Sequence, residues 1–332
     1  MNDFTVFIEN KNYVHFTLPY LKILKRISED VQILSLENIN ISDFDSDRIT
    51  VFNNKKDLNK HLVSLESKNF FTTTPGIGNF YFQKSKTLPK KNRPLYFYFF
   101  HSLVSPNENY SINSFNGYDY ILSPNNTISS QLNYLVKENK TKIITVGYQH
   151  LSKKNKLQNY KNNILLAPSW GEDNLFSEKY SIELKNLTEE LQTVGLNVFL
   201  RPHPMDVKAI ESFKKMKKTN LYSEKEIEYG MFDFLITDWS GISLEYFFSN
   251  NNPVGFVNTK KKRRRKLSRK EKKLELIEYK IIDKIGPCLD LDNLNLEDFL
   301  KFKYKKTEYV ESLYLPKFEE KKVEELLKKI TK

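Results

Sequence analysis

The chain has 332 residues, of which 39% are hydrophobic and 14% aromatic. This length exceeds what one ordinary core supports, so we expect two domains of roughly 150 residues each. The longest apolar run, Leu95 to Phe100, is far shorter than the roughly 20 residues that cross a bilayer, which argues against a membrane-spanning protein. A single cysteine, Cys288, excludes an internal disulfide framework and favours a reducing cytoplasm, and we expect a packed thiol there.

Apolar runs of strand length alternate with longer polar or amphipathic stretches along the chain. This alternation is typical of the α/β class, in which helices cover parallel sheets. The predicted strands are Phe4 to Glu9, Val31 to Leu36, Ile49 to Phe52, Leu95 to Phe100, Tyr118 to Leu122, Lys142 to Val146, Asn163 to Leu166, Asn197 to Leu200, Phe232 to Thr237 and Val254 to Val257. The predicted helices are Leu18 to Ser28, Ser129 to Glu138, Ser181 to Val194, Val207 to Lys217, Ile242 to Ser249 and Lys317 to Ile330.

A stretch rich in Lys, Asn and Gln, from Gln149 to Asn162, has few apolar residues and the composition of an exposed connection. We therefore predict an N-terminal domain at residues 1–155 and a C-terminal domain at residues 156–315. The remaining residues, 316–332, contain an amphipathic helix that we expect to pack back on the N-terminal domain.

The net charge of +12 is concentrated in one segment. Residues Lys260 to Lys273 include eleven Lys or Arg and one Glu, so the rest of the chain has 42 basic and 40 acidic residues. Three interpretations stay open: an exposed helix or loop, a contact with an anionic membrane surface, and a contact with a polyanionic substrate or RNA. The segment begins with Lys260, Lys261, Lys262, Arg263, Arg264, Arg265 and Lys266. Because the remaining chain is nearly neutral, we do not expect a nucleic-acid partner.

A loop of sequence Arg201, Pro202, His203, Pro204 follows the predicted strand Asn197 to Leu200. Ligands of open α/β sheets collect at the carboxyl ends of strands. The two prolines restrict the backbone on both sides of the imidazole, and the planar guanidinium matches a phosphate group. The loop indicates a phosphate site. The alternative is that the prolines only end the strand and His203 bonds a neighbouring carbonyl.

A second loop, Thr237 to Tyr246, also joins a predicted strand to a helix. Ser240 and Gly241 stand at the start of this helix, where free N–H groups and the helix dipole attract anions. Asp238 is a candidate helix cap. Glu245 lies one turn into the helix, where its carboxylate would accept hydrogen bonds from both ribose hydroxyls or would simply be exposed. Together the two loops predict a site for a nucleotide diphosphate.

Three further segments match one known family in the same order as these loops. Leu166 to Trp170 is similar to a strand followed by Ala-Pro-Thr-Trp, and Val146 to Tyr148 to a Gly-Tyr-Pro segment between domains. Phe100 to Ser102 falls where the family has Trp-His-Gly. With the two loops, these segments resemble the CDP-glycerol:poly(glycerophosphate) glycerophosphotransferase family of cell-envelope polymer enzymes. The resemblance covers roughly Tyr96 to Gly286.

The resemblance implies a GT-B-like architecture, in which two Rossmann-like domains with parallel sheets face a central cleft. The N-terminal domain would take the acceptor and the C-terminal domain the nucleotide donor. The implied catalytic residues are His101 and His203. The implied donor-binding residues are Arg201, Ser169, Asp238, Ser240, Gly241, Ser243 and Glu245. His101 would act as general base, a task that suits imidazole near neutral pH; the alternative is a core histidine after an aromatic strand.

The implied reaction moves a polyol phosphate, of the glycerol phosphate type, from a CDP-linked donor to an acceptor hydroxyl and releases CMP. Positioning and charge neutralisation supply most of the catalysis in such a transfer. The acceptor would be lipid-linked or a glycan, and the enzyme would be cytoplasmic and peripheral on the inner face of the membrane. We expect no cofactor and no metal, and we predict that the Asp-x-Asp pairs Asp43/Asp45 and Asp290/Asp292 are exposed.

Three positions depart from the family pattern. Gly241 replaces a second serine, Gly171 follows Trp170 in place of arginine, and Ser102 follows His101 in place of glycine. These differences keep a runner-up open, a GT-B glycosyltransferase that uses a nucleotide sugar in capsule or lipopolysaccharide assembly. A third alternative is a non-catalytic basic protein that binds membranes or RNA, which would spread its charge over one face.

Overall fold

A computed structural model describes residues 2–76, 93–101, 103–111, 114–136, 140–149, 162–203, 206, 208–209, 211, 220–222, 227–259, 276–303, 307–313 and 316–331. The chain divides into two compact units. The first comprises Met1–Ser102, Asn109–Ser152 and Leu315–Lys332, and the second comprises Leu103–Glu108 and Lys153–Tyr314. The basic segment, Lys260 to Lys273, and most of the predicted helix Val207 to Lys217 lie outside the described residues.

The described strands and helices alternate along the chain, as the α/β pattern predicts. Strands β1 to β7 are Asn2–Ile8, Val31–Ser35, Ile49–Val51, Ser67–Thr72, Leu95–Phe99, Tyr120–Ser123 and Lys142–Thr145. Strands β8 to β13 are Asn163–Leu166, Asn197–Leu200, Asn220–Leu221, Phe234–Thr237, Val254–Val257 and Cys288–Leu289. Helices α1 to α10 are Val14–Ile27, Lys55–Val63, Pro106–Asn109, Asn126–Asn133, Ser181–Thr193, Ile242–Asn250, Ile277–Lys280, Leu296–Lys301, Glu308–Ser312 and Glu320–Ile330.

The sheet of the first unit has, within the described residues, seven parallel strands in the order β3-β2-β1-β4-β5-β6-β7. Strand β4 lies at its centre but is absent from the predicted strands, because only two of its six residues are strongly apolar. Two of its buried polar side chains donate hydrogen bonds: the Asn69 amide donates to the Asp3 carbonyl at 3.1 Å, and the Ser67 hydroxyl donates to the Asn69 carbonyl at 2.9 Å. Satisfied hydrogen bonds allow such groups inside a sheet.

Helix α1 begins four residues earlier than predicted and contains Pro19 in its second turn. Proline normally disfavours this position because it removes a backbone donor. Burial of the apolar face outweighs that cost, since Tyr20, Leu21 and Leu24 are at most 1% exposed. Tertiary packing, which the local sequence does not reveal, therefore sets the start of this helix.

The C-terminal helix α10 lies in the first unit, where it packs against α1. Val323 and Leu327 are buried in the core of this unit. The preceding segment approaches Gly147 closely: a Cβ there would lie 2.6 Å from the Pro316 carbonyl oxygen, and φ is +92°. The Gly-Tyr segment thus needs glycine both for its left-handed backbone and for this close approach.

The sheet of the second unit has six parallel strands among the described residues, in the order β10-β9-β8-β11-β12-β13. The predicted limits of β8, β9 and β12 are confirmed. The two-residue strands β10 and β13 are too short for a periodic signal. Cys288, in β13, is exposed, so the prediction of a packed thiol is wrong. The predicted α/β class with two parallel sheets is confirmed.

Candidate functional site

Three loops leave the same edge of the second sheet. They follow β8, β9 and β11, which are neighbours in the order β9-β8-β11. The backbone ladder continues into the loops: the Arg201 N–H donates to the Leu166 carbonyl at 2.9 Å, and the Ala167 N–H donates to the Ile236 carbonyl at 3.0 Å. Carboxyl ends of parallel strands are the usual ligand-binding edge of an open α/β sheet. The two loops singled out from the sequence therefore lie on this edge, with the Pro168–Trp170 segment between them.

A carboxylate connects two of these loops. Asp238 Oδ1 accepts a hydrogen bond from the Ser169 N–H at 2.7 Å, and Asp238 Oδ2 accepts one from the Ser169 hydroxyl at 2.9 Å. Burial raises the pKa of Asp238, which is 1% exposed, while the hydrogen bonds from Ser169 act in the opposite direction. The expected helix-cap role of Asp238 is wrong, because Gly241 precedes α6 and makes no side-chain cap.

A second connection joins the loops after β8 and β9. The Asn174 amide donates to the Gly171 carbonyl at 2.7 Å and to Asp206 Oδ2 at 2.8 Å. Asn174 is 3% exposed, and Gly171 has φ of +115°, where side chains are rarely tolerated. The positive φ therefore explains why position 171 is glycine, since an arginine there would have a strained backbone. The sequence analysis missed Asn174, since asparagine is common in ordinary turns.

Arg201, Tyr229 and Glu245 form an electrostatic cluster. The Tyr229 hydroxyl donates to Glu245 Oε2 at 2.5 Å. Burial lowers the pKa of the Arg201 guanidinium, and the nearby Tyr229 and Glu245 oppose this shift. Burial and the Glu245 carboxylate both raise the pKa of Tyr229. Glu245 is partly buried, so the alternative of a simply exposed acid is wrong.

Tyr229 was missed in the sequence analysis because it precedes β11 in a 3₁₀ turn, Tyr229–Met231, with no recognisable motif. Its partner Glu245 is 16 residues further along the chain. The cluster combines the partly buried cation of Arg201 with the carboxylate of Glu245, whose position is restrained by the hydroxyl of Tyr229. Such an arrangement suits a ligand with one anionic group and one hydroxylated group.

His203 lies partly buried beside an indole. Its ring centroid is 6.1 Å from that of Trp170, with an angle of 34° between the rings. The His203 carbonyl accepts a hydrogen bond from the Asp206 N–H at 2.8 Å. Pro204 lies outside the described residues. The His203 imidazole therefore stands next to the loop after β8.

The start of α6 is a compact turn. The Ser243 hydroxyl donates to the Ser240 carbonyl at 2.9 Å, and the Ser243 N–H donates to the same oxygen at 3.2 Å. Ser243 is 1% exposed, so in this structure its hydroxyl stabilises the turn. A Cβ on Gly241 would lie 3.3 Å from Val104 Cγ1, which is a close contact. The glycine therefore permits close packing of Val104 against the helix start.

His101, in the first unit, follows β5 within an aromatic cluster. Its ring centroid is 5.2 Å from Tyr13 in an edge-on arrangement and 4.9 Å from Phe16. His101 is partly buried, and because it follows β5 it lies at the carboxyl edge of the first sheet. At the same edge, Glu9 follows β1 and accepts a hydrogen bond from the Thr74 hydroxyl at 3.1 Å. The sequence analysis did not single out Glu9.

The remaining predicted positions are either exposed or outside the described residues. Both Asp-x-Asp pairs are exposed, as predicted. Lys260, Lys261, Lys262, Arg263, Arg264, Arg265 and Lys266, together with Ser102, lie outside the described residues. In the part of the chain that the structure describes, no group of three His, Cys, Asp or Glu side chains is placed to bind a metal. No described helix combines the length and the apolar composition needed to cross a membrane.

The motifs match a known family by sequence as well. A sequence model of the CDP-Glycerol:Poly(glycerophosphate) glycerophosphotransferase family matches residues 104–262. This segment contains both loops and the Leu166 to Trp170 match, so the resemblance predicted from the residues is confirmed. A comparison with curated proteins finds no match.

Solved structures share the fold. The wall teichoic acid polymerase TagF has a TM-score of 0.58 at 14% identity, with 99% of this chain and 88% of that chain covered. The UDP-GlcNAc 2-epimerase of Methanocaldococcus jannaschii, in complex with UDP-GlcNAc and UDP, has a TM-score of 0.57 at 13% identity, with 98% of this chain and 99% of that chain covered. S. aureus MnaA with UDP has a TM-score of 0.50 at 14% identity, with 78% of this chain and 80% of that chain covered. These similarities confirm the GT-B-like fold class.

Proposed function

We propose that this chain, whose residues 104–262 match the glycerophosphotransferase family, is a transferase of cell-envelope polymer synthesis. It moves a polyol phosphate from a CDP-linked donor to an acceptor hydroxyl and releases CMP. The supporting observation is the partly buried cation of Arg201, which interacts electrostatically with Glu245, at the ligand-binding edge of the second sheet. Arg201 and His203 contact the donor phosphates, and Glu245 binds the ribose hydroxyls.

In the proposed reaction, the acceptor hydroxyl forms a new P–O bond to the polyol phosphate while the P–O bond to CMP breaks. His101 takes the hydroxyl proton as general base. CMP leaves with the electron pair of the broken bond, and Arg201 and His203 neutralise its developing charge. The role of His101 rests on the family motif and on its position at the carboxyl end of β5.

A glycosyltransferase is the second candidate, because the M. jannaschii epimerase and S. aureus MnaA share the fold and their structures contain UDP. The departures at Gly241 and Gly171 affect the predicted phosphate contacts and therefore leave the donor open. In this alternative the acceptor attacks an anomeric carbon, and the whole nucleoside diphosphate leaves.

Product identification separates the two candidates. The purified chain is incubated with CDP-glycerol, CDP-ribitol and a panel of UDP-sugars, together with a membrane extract as acceptor source. Release of CMP from a CDP-polyol supports the proposed phosphotransfer. Release of UDP alone would identify a glycosyltransferase, and no nucleotide release from any donor would contradict both.

Variants of the two histidines test the assigned catalytic groups. We expect His203→Ala and His101→Ala each to abolish CMP release while the far-UV spectrum and the melting temperature stay close to those of the parent. His15→Ala is a matched control, since the His15 ring also lies against an aromatic ring, with its centroid 3.8 Å from that of Phe16. Near-normal turnover of either catalytic variant would remove that residue from the mechanism.

We also propose that the chain acts at the cytoplasmic face of the membrane through Lys260 to Lys266. Seven consecutive basic residues contribute roughly 1 kcal/mol each near an anionic lipid surface. Flotation with vesicles containing phosphatidylglycerol tests this, with neutral vesicles as control. A Gln-substituted segment should lose flotation and keep turnover on a soluble acceptor. Equal flotation of parent and variant would assign the segment another role.

A further inference from the structure

A buried carboxylate in the second unit holds a distant segment of the chain. The Ser105 N–H donates to Glu278 Oε1 at 2.6 Å, and the Ser105 hydroxyl donates to Glu278 Oε2 at 2.6 Å. The same hydroxyl oxygen accepts a hydrogen bond from the Ile277 N–H at 2.7 Å. Ser105 is fully buried and Glu278 is 9% exposed. Both carboxylate oxygens thus have a partner from one serine.

The segment that Ser105 belongs to, Leu103–Glu108, lies in the second unit although 173 residues separate Ser105 from Glu278. Its first two residues contact the start of α6. A Cβ on Gly241 would lie 3.3 Å from Val104 Cγ1 and 3.7 Å from Leu103 Cβ. Val104 therefore occupies space next to the position where the family has a serine side chain. Leu103 and Val104 are therefore packed directly against the start of α6.

Placing a carboxylate here costs free energy, because burial disfavours its charged form. Burial raises the pKa of Glu278, and the hydrogen bonds from Ser105 oppose this shift. An apolar side chain of similar size would avoid this cost. What an apolar side chain would not supply is a partner for both the N–H and the hydroxyl of Ser105. The carboxylate thus specifies one position of the segment.

We propose that Glu278 is a positioning residue for the proposed donor site. Through Ser105 it holds Leu103–Glu108 against Gly241, and this contact sets the first turn of α6 where the diphosphate of the donor binds. The inference rests on the proposed function together with the family resemblance, which assigns Ser240 and Gly241, at the start of α6, to donor binding. Glu278 itself does not touch the donor.

Nucleotide affinity tests the proposal independently of turnover. Binding of CDP to the full chain is measured by calorimetry well below the melting temperature. We expect Glu278→Leu to weaken CDP binding at least tenfold, because the N–H and hydroxyl of Ser105 lose their partners and the segment shifts. Glu278→Gln preserves the shape and one acceptor oxygen, so we expect it to restore most of the affinity.

A control variant separates positioning from a general loss of stability. Thr188→Val removes a buried hydroxyl that donates to the Leu184 carbonyl at 2.8 Å in α5, away from the site. It should lower the melting temperature without weakening CDP binding. If Glu278→Leu does not fold, Val104→Ala tests the same contact at Gly241 and should also weaken CDP binding.

The outcomes distinguish the two proposals. In the first outcome, the parent chain binds CDP, and the Glu278→Leu variant (or Val104→Ala, if the first does not fold) binds CDP equally well. The positioning role is then wrong and the proposed function stands. If the parent chain binds neither CDP nor UDP, the proposed function fails, and the positioning role fails with it. Weakened CDP binding in Thr188→Val to the same degree would show that the effect reflects stability alone, which also contradicts the positioning role.

Discussion

The carboxylate of Asp238 accepts two hydrogen bonds from Ser169, one from its backbone N–H and one from its hydroxyl. Asp238 follows β11 and Ser169 follows β8, so one side chain joins the loops of two neighbouring strands. Because Asp238 is buried, water does not replace a lost partner. The link therefore contributes both to stability and to the shape of the candidate site.

A double-mutant cycle measures this link. Ser169→Ala removes one hydrogen bond and should lower the free energy of unfolding by about 1 kcal/mol. Asp238→Ala leaves the Ser169 N–H without its acceptor and should cost about 2–3 kcal/mol. Because the two residues contact each other, the double variant should lose at least about 0.5 kcal/mol less than the sum. Urea unfolding gives all four values, and strict additivity would contradict the contact.

Stability should also depend on pH through Asp238. Burial raises its pKa in the folded chain, so the folded state holds the proton more tightly than the unfolded state. Its contribution to stability is therefore fully present below the ordinary pKa of aspartic acid and is lost as pH rises through the raised value. Asp238→Asn lacks this contribution.

The measurement compares urea unfolding of the parent and of Asp238→Asn from about pH 4 to about pH 7. This range begins near the ordinary aspartate pKa and extends about three units above it. The parent should lose stability relative to the variant as pH rises. Other groups, such as Glu278, whose pKa is also raised, are present in both proteins and cancel in the difference. A difference that is constant with pH would show that the pKa of Asp238 is not raised.

Tyr229→Phe tests the restraint on Glu245. The variant removes the hydroxyl that donates to the carboxylate, and hydrogen bonds to charged groups contribute roughly 1.5–3 kcal/mol. We expect the KM for the donor to rise about tenfold or more, with a smaller effect on kcat.

Tyr246→Phe is the matched control for this variant. Its hydroxyl donates to the Phe232 carbonyl at 3.1 Å, and the residue is fully buried on the same helix as Glu245. This control should lower stability and leave the donor KM unchanged. An unchanged KM in Tyr229→Phe would show that the Tyr229 hydroxyl is not needed to position Glu245.

Arg201→Lys tests the partly buried cation at Arg201. Protonated lysine also carries a positive charge, but it lacks the planar fork that binds a phosphate through two parallel hydrogen bonds. Burial also lowers the pKa of a lysine more readily than that of an arginine, so the variant loses charge near neutral pH.

We expect Arg201→Lys to weaken donor binding at least tenfold at pH 7, with partial recovery at lower pH as the amine takes up a proton. Arg26→Lys is the control, because its partners Glu320 and Glu324 lie at the surface of the first unit. Full donor affinity in Arg201→Lys would rule out phosphate recognition by this side chain.

The site residues that could be predicted are those next to prolines, glycines or continuous apolar runs. The prolines around His203 and the residue Gly241 each follow the end of a strand, where such residues are common. Buried strands such as Asn163–Leu166 consist mostly of consecutive apolar residues. The missed partners have no such signal. Tyr229 and Asn174 are defined by contacts across 16 and 32 residues, and no periodic pattern extends between their partners.

The sequence by itself determined the α/β class and the loops at the ends of β9 and β11, because both follow from local preferences of residue types. It did not determine which neighbour each loop has. That was decided by the strand order, which places β8 between β9 and β11 and so brings Ser169 to Asp238 across 69 residues. Strand order and long-range hydrogen bonds depend on how the whole chain packs, which no short segment encodes.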